Sequence, residues 1–202
     1  PNVSKCSVIA EHDASLQGVG CSWYTVDEYG IETLVGYASW DISCLGYETD
    51  SSYQNTAEFI SGILALMGVI VLGLPRDAVK LRGDSKSSLS WTHARKFRSI
   101  NAQPAAVVFI IFLSLSGMKL LEPEFLSGEN NWRCDELSRW NRMEELIGKD
   151  PRYKSATNVV MDNREFLEIV GPNHQWKMEH ELVIFWSRAT TLVRELLNEK
   201  NK

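Results

Sequence analysis

The sequence predicts a mixed α/β fold with the element order β-β-β-α-β-α-α-β-α, and three observations lead to it. Three β-rich runs, "CSVIAEH", "VGCSWYTV" and "IETLVGYASW", open the chain and are separated by Gly and acidic turn residues. The apolar spacing then switches from strand-like to helical in "QNTAEFISGILALMGVIVLG" and back to strand-like in "AVKLRGD". Alternating helical and strand patterns follow, enough for a mixed five-stranded sheet with helices packed on it.

The elements follow in order. Residues 6–12, 19–26 and 31–40 form an antiparallel meander, with "DEYG" as its clearest turn. In the first helix Asn55 or Thr56 is the expected N-cap, and Glu58 falls in the first turn, where its charge suits the helix dipole. Helical patterns run over about 86–98 and 103–118, and a short strand over about 120–126. "SGEN" is a turn before the helical "WRCDELSRW". In such a sheet the first and fourth strands can lie side by side. Residues 1–140 are expected to form this domain, and residues 141–202 a helical C-terminal extension. There "IGKDPRY" and "VGPNHQW" are loop punctuation, and the last helix puts Leu182, Phe185, Leu192, Val193 and Leu196 on or near one face.

Composition narrows the class. The 202 residues are 44% hydrophobic with a net charge of -5, which argues against a nucleic-acid coat acting by bulk electrostatics but leaves room for a local basic patch. Cys6, Cys21, Cys44 and Cys134 form no C-x-x-C pair, so they read as reduced thiols of an intracellular protein, cytoplasmic or nuclear. No secretory signal opens the chain, and Pro1 as first residue suggests a piece of something longer. Two uncharged runs, 59–75 and 99–118, approach membrane-spanning length. The first is broken by three Gly and the second starts with polar residues and Pro, so both are expected as buried core helices, with no membrane partner.

The chemistry lies in the carboxylates. Asp13 ends the first strand, Glu58 is on the first helix, Asp84 ends the fourth strand, and Asp135 is on the helix after the fifth. Each has a plain structural alternative. Asp84 in "KLRGDSKSSLSW" stands where an N-cap would, and Asp13 could be a turn residue. Glu58 could be a dipole partner, and Asp135 a solvated helix residue with Glu136 competing for its role. If they converge instead, clustered carboxylates need cations, and oxygen donors suit Mg²⁺ or Mn²⁺.

These residues resemble the ribonuclease H family, especially the form attached to retroelement reverse transcriptases. "DASLQGVG" looks like its first-strand motif, "NTAEF" its first-helix motif and "GDSKSSL" its fourth-strand motif. "SGENNWRCDELSRW" resembles the retroelement ending, in which Gly and Asn precede Asp and Leu-Ser-Arg. The resemblance covers about residues 5–140. It implies a metal-binding tetrad of Asp13, Glu58, Asp84 and Asp135, two Mg²⁺ ions replaceable by Mn²⁺, and substrate contacts from Asn55 and Ser85. It also places Arg95, Lys96 and Arg98 of "WTHARKFRS", beside His93 and Trp91, in the region that grips nucleic acid, although Trp91 reads rather as a core residue. Cys134 and Ser127 depart from the family's usual small residue and Pro, and "SGENNWRCD" lacks the histidine of cellular relatives. His174 and His180 read as structural. The implied activity is hydrolysis of the RNA strand of an RNA/DNA hybrid, with an upstream reverse transcriptase domain as a possible partner. Two alternatives stay open: an exonuclease or strand-transfer enzyme with the same carboxylates, and a catalytically silent module used for assembly within a polymerase.

Overall fold

The computed structural model describes residues 5–47, 50–97, 99–139, 143–172 and 179–198. Its first nine regular elements follow the expected order: β1 (Val8–Ala14), β2 (Gly18–Val26), β3 (Glu32–Asp41), α1 (Gln54–Val71), β4 (Val79–Gly83), α2 (Lys86–Ala94), α3 (Gln103–Ser116), β5 (Glu124–Phe125) and α4 (Trp132–Ser138). β2 is antiparallel to β1 and β3, whereas β4 is parallel to β1 and β5 parallel to β4. The first and fourth strands are therefore neighbours, with their C-terminal ends at one edge of the sheet. This is the expected RNase H-like class of mixed sheet flanked by helices.

Helices cover both faces, and on each a glycine sets the approach. On one side α1 is buried almost all round, as its near-continuous apolar sequence requires. Trp23 of β2 is fully buried against it and donates from Nε1 to the carbonyl of Ala65 at 2.7 Å. A Cβ at Gly68 would overlap the indole. On the other side α4 crosses β2 at Gly20, where a Cβ would overlap the backbone of Cys134 and Ser138. The stretch Ser51–Val71 is long and apolar enough to cross a membrane, yet 83% of its most apolar window is buried inside the fold.

Several local expectations are corrected. The sheet has six strands, in the order β5-β4-β1-β2-β3-β6. The sixth, β6 (Thr157–Asn158), comes from the C-terminal extension and pairs in parallel with Gly36 and Tyr37 of β3. The extension also holds α5 (Met143–Lys149), α6 (Arg164–Val170) and α7 (Glu179–Asn198). It packs into the core: Val159, Phe166, Ile169, Phe185, Ala189 and Val193 are buried in the same hydrophobic cluster as α1 and α3. The physical reason is α3, whose apolar residues occupy more than one side and need a cover, which α6 and α7 supply. Of the face expected on α7, Phe185 and Val193 are buried while Leu182 is exposed.

The start of α1 also differs. Asp50 caps a 3-10 turn, Ser51–Tyr53, by accepting from the amide of Ser52, and this turn runs straight into α1. Asn55 and Thr56 are thus inside the helix, and Glu58 lies beyond its first turn, so neither capping nor the dipole accounts for that carboxylate. The strand expected over 120–126 is reduced to Glu124–Phe125 and one isolated bridge from Leu120 to Val79. Pro123, which has no N–H to offer a ladder, interrupts it.

Candidate metal centre

Asp13 sits near the end of β1, Asp84 directly follows β4, and Glu58 reaches in from the second turn of α1. One carboxylate oxygen from each lies within 4.8 Å of the other two. Asp13 and Glu58 are buried and Asp84 is half-buried. The alternative of Asp84 as the cap of α2 fails, because its neighbour Ser85 does that work: Ser85 Oγ accepts from the amide of Ser88 at 3.2 Å.

Each of the two buried carboxylates accepts from at least one group outside its own element. Glu58 Oε1 accepts from the Ala14 amide at 3.4 Å and from Gln54 Nε2 at 3.1 Å, while Gln54 Nε2 also donates to the Ala14 carbonyl at 2.7 Å. Asn131, fully buried just before α4, donates from Nδ2 to Asp13 Oδ1 at 3.3 Å and to the His12 carbonyl at 3.1 Å. His12 itself turns to the other side and shares a 2.6 Å hydrogen bond with Ser61 Oγ. Burial pushes that imidazole down to about 4, so it stays neutral.

The electrostatics call for a cation. Burial, then the charges of Asp84 and Asp135, push Asp13 up to about 7. Burial, then Asp13 and Asp84, push Glu58 well above the usual carboxylate range. Among the described residues Glu58 Oε2 is buried with no hydrogen-bond partner to offset its desolvation. Three oxygen-bearing ligands with one orphaned oxygen fit a hard divalent ion such as Mg²⁺ or Mn²⁺.

Asp135 is placed differently. It lies on α4, outside the three-carboxylate cluster, and its Oδ1 accepts from Arg139 Nη2 at 2.8 Å and Nε at 3.1 Å. It is still close enough to raise the pKa of Asp13. Glu136, the competing residue, points elsewhere, is buried, and pairs with Lys149 at 3.1 Å.

Of the expected substrate contacts, Asn55 is exposed on α1, one turn before Glu58. Ser85 caps α2, while Arg95 and Lys96 are exposed at its C-terminal end beside His93. Arg95 has φ 52, a left-handed conformation uncommon for a residue with a side chain. Arg98 and His174 lie outside the described residues, as does the His180 side chain. Trp91 is half-buried and meets Phe59 edge-on at 5.7 Å, in keeping with the core reading. Sequence reasoning missed Gln54, Asn131 and Arg139. The four-residue spacing of Gln54 to Glu58 and of Asp135 to Arg139 on helices was the available signal; Asn131 had none beyond its place before a helix.

The fold and the site together define a class: an RNase H-like α/β protein with a buried acidic cluster of divalent-ion type at adjacent strand ends. No family model and no curated protein matches the chain. Among solved structures it is similar to RNase H1 from the halophilic archaeon Halobacterium salinarum, at 21% identity and TM-score 0.49 over 68% of this chain and 97% of that one. It is also similar to an RNase H1 isolated from compost by a metagenomic approach, at 19% identity and TM-score 0.35 over 71% and 96%. A third is the yeast mitochondrial Holliday junction resolvase, at 10% identity and TM-score 0.32 over 100% and 85%. At such scores the strand topology and the carboxylate geometry, not the likeness, define the class.

Proposed function

We propose that this protein is a divalent-metal-dependent endoribonuclease that hydrolyses the RNA strand of RNA/DNA hybrids, within the cell and as part of a retroelement reverse transcriptase polyprotein. The observation behind it is the convergence of Asp13, Glu58 and Asp84 within 4.8 Å, with Glu58 Oε2 left unpartnered. The Leu-Ser-Arg that follows Glu136 supports the retroelement setting. Asp13, Glu58 and Asp84 would hold Mg²⁺, with Mn²⁺ able to substitute, and Asp135 would add a fourth carboxylate. Paired divalent ions supply an activated water and charge stabilisation at the departing 3′ oxygen.

The chain's own residues prepare that chemistry. Gln54 and the Ala14 amide aim one oxygen of Glu58 and leave the other free, and Asn131 fixes the Asp13 carboxylate. Burial of both carboxylates strengthens every electrostatic interaction at the site. Arg95 and Lys96 are exposed cations suited to backbone phosphates, and Asn55 is an exposed hydrogen-bonding group one turn from Glu58, suited to the 2′-hydroxyls that distinguish RNA.

The test is incubation with end-labelled RNA/DNA hybrid, double-stranded RNA and double-stranded DNA in Mg²⁺. The hybrid is cut in its RNA strand, leaving 5′-phosphate and 3′-hydroxyl ends, while duplex DNA stays intact. Ca²⁺ permits binding but suppresses turnover, because it accepts looser geometry at longer distances. Equal cutting of both duplexes, or full activity in a chelator, refutes the assignment. The pairing of Asp135 with Arg139 favours one second reading, a catalytically silent module in which the fourth carboxylate is never released; binding of the hybrid with no cleavage in Mg²⁺ or Mn²⁺ would establish it.

A further inference from the structure

We propose that Phe125 and Lys86 form a sugar-phosphate contact beside the carboxylates, with the ring against the apolar face of a sugar and the ammonium on the adjoining phosphate. This rests on the reading that the site takes an RNA/DNA hybrid. Three observations lead to it. First, Phe125 is fixed next to the cluster: in the parallel β4–β5 pair it stands opposite Gly83, the residue before Asp84, and the Leu126 amide donates to the Gly83 carbonyl at 2.8 Å. The following loop stays close, since a Cβ on Gly128 would lie 3.6 Å from Asp84 Oδ2.

Second, Phe125 is 47% exposed, a large apolar ring facing water at the rim of a site whose Asp13 and Glu58 are buried. Third, Lys86, on the first turn of α2 and two residues from Asp84, holds Nζ 4.7 Å from the ring centroid. Such an exposed cation–π contact is weak, so a phosphate can take the ammonium while the ring keeps its place. In a paired duplex the bases are stacked inside and the sugars and phosphates are exposed. The occupant that matches an apolar ring beside a cation is therefore the backbone, read without regard to sequence.

The two residues have separable signatures. Binding of a fluorescently labelled hybrid is measured by anisotropy in Ca²⁺ at several salt concentrations. Lys86→Ala lowers the slope of log affinity against log salt by about 0.9, the loss of one phosphate contact. Phe125→Ala weakens binding by about fivefold at every salt concentration and leaves the slope unchanged, the behaviour of lost apolar burial. Phe125→Trp keeps wild-type affinity, and its emission changes on binding. Mn²⁺ titration of each variant without nucleic acid matches the wild type, which separates this contact from the metal site. If the wild type binds hybrid and Phe125→Ala binds equally well, or changes only the salt slope, this inference fails alone. If the wild type binds no hybrid, the proposed function fails and takes the inference with it.

Discussion

Asn131 donates from one nitrogen both to the Asp13 carboxylate, at 3.3 Å, and to the carbonyl of His12, at 3.1 Å, so the start of α4 is tied to the end of β1. The tie joins residues 118 apart in sequence and is fully buried. Asn131→Ala leaves the His12 carbonyl and Asp13 without that donor, which costs about 1–3 kcal/mol of stability by thermal unfolding. Because the donor also orients a proposed ligand, Mn²⁺ affinity measured by calorimetry falls by about tenfold to a hundredfold. A purely structural tie would lower the melting temperature and leave Mn²⁺ affinity unchanged.

The raised carboxylates set a pH trend in the metal-free protein. Asp13 titrates near 7 when folded against 3.8 as its ordinary value, so the folded state holds an extra proton below about pH 7. That contribution is present at low pH and is lost as pH rises through the folded value. Neutral, buried His12 opposes it wherever the unfolded imidazole carries its proton, an effect half gone at about pH 6.5 and fading above it. In a chelator the melting temperature therefore falls as pH rises from about 6.5 to 8. Mg²⁺ should abolish the trend, because the cation replaces the proton. A melting temperature that rises over this window in the chelator would contradict the assignment of burial and crowding to these groups.

Asp135 and Glu136 are neighbours in sequence with different surroundings. Asp135→Asn is expected to slow hybrid cleavage by about tenfold to a hundredfold, partly recovered by raising Mn²⁺, the scale for disturbing a metal site. Glu136→Gln removes the charge that pairs with Lys149 on a side away from the carboxylates, so cleavage stays close to wild type while stability falls. The two variants assayed together on one hybrid decide the register of the last motif. The reverse result would make Glu136 the ligand, and two silent variants would leave a triad.

Gly20 and Gly68 make close approaches on opposite faces of the sheet. Alanine at either forces neighbouring backbone or an indole to move, at a cost of about 1–3 kcal/mol or more. Gly20→Ala pushes α4 outward and with it Asn131 and Asp135, so Mn²⁺ affinity falls as well. Gly68→Ala acts against Trp23, and its Mn²⁺ affinity stays near wild type. Equal losses of affinity would mean that the site responds to stability alone.

Arg95 closes α2 in a left-handed conformation that glycine adopts without strain. Arg95→Gly is expected to stabilise the protein by about 0.5–1 kcal/mol in denaturant titration while weakening hybrid binding and reducing its salt slope. Stabilisation with unchanged binding would identify Arg95 as a helix stop only.

Much of the fold was legible because its signals are local. The β-rich runs of β1 to β3 and the long apolar α1 are marked by their own residues, and Asp13, Glu58 and Asp84 could be placed on strand ends and a helix before any contact was known. The adjacency of β1 and β4 turned those placements into a cluster. Local chemistry misled where two neighbours could serve one purpose: Asp84 and Ser85 both suit an N-cap, and only the Ser85 to Ser88 hydrogen bond decides between them. The packing of the extension was not legible for a different reason. A strand of two residues has no periodicity to read, and whether α6 and α7 stand apart or cover α3 depends on which apolar surface lacks a partner, a property of the assembled core. What the sequence determined by itself was the set of elements and the residue types able to hold a cation, since both follow from side chains within a few positions of one another. What only the tertiary structure decided was which carboxylates meet and what orients them. Asn131 acts on Asp13 through a distance and burial that exist only once the chain has closed on itself, whereas Gln54 and Arg139 reach Glu58 and Asp135 along their own helices.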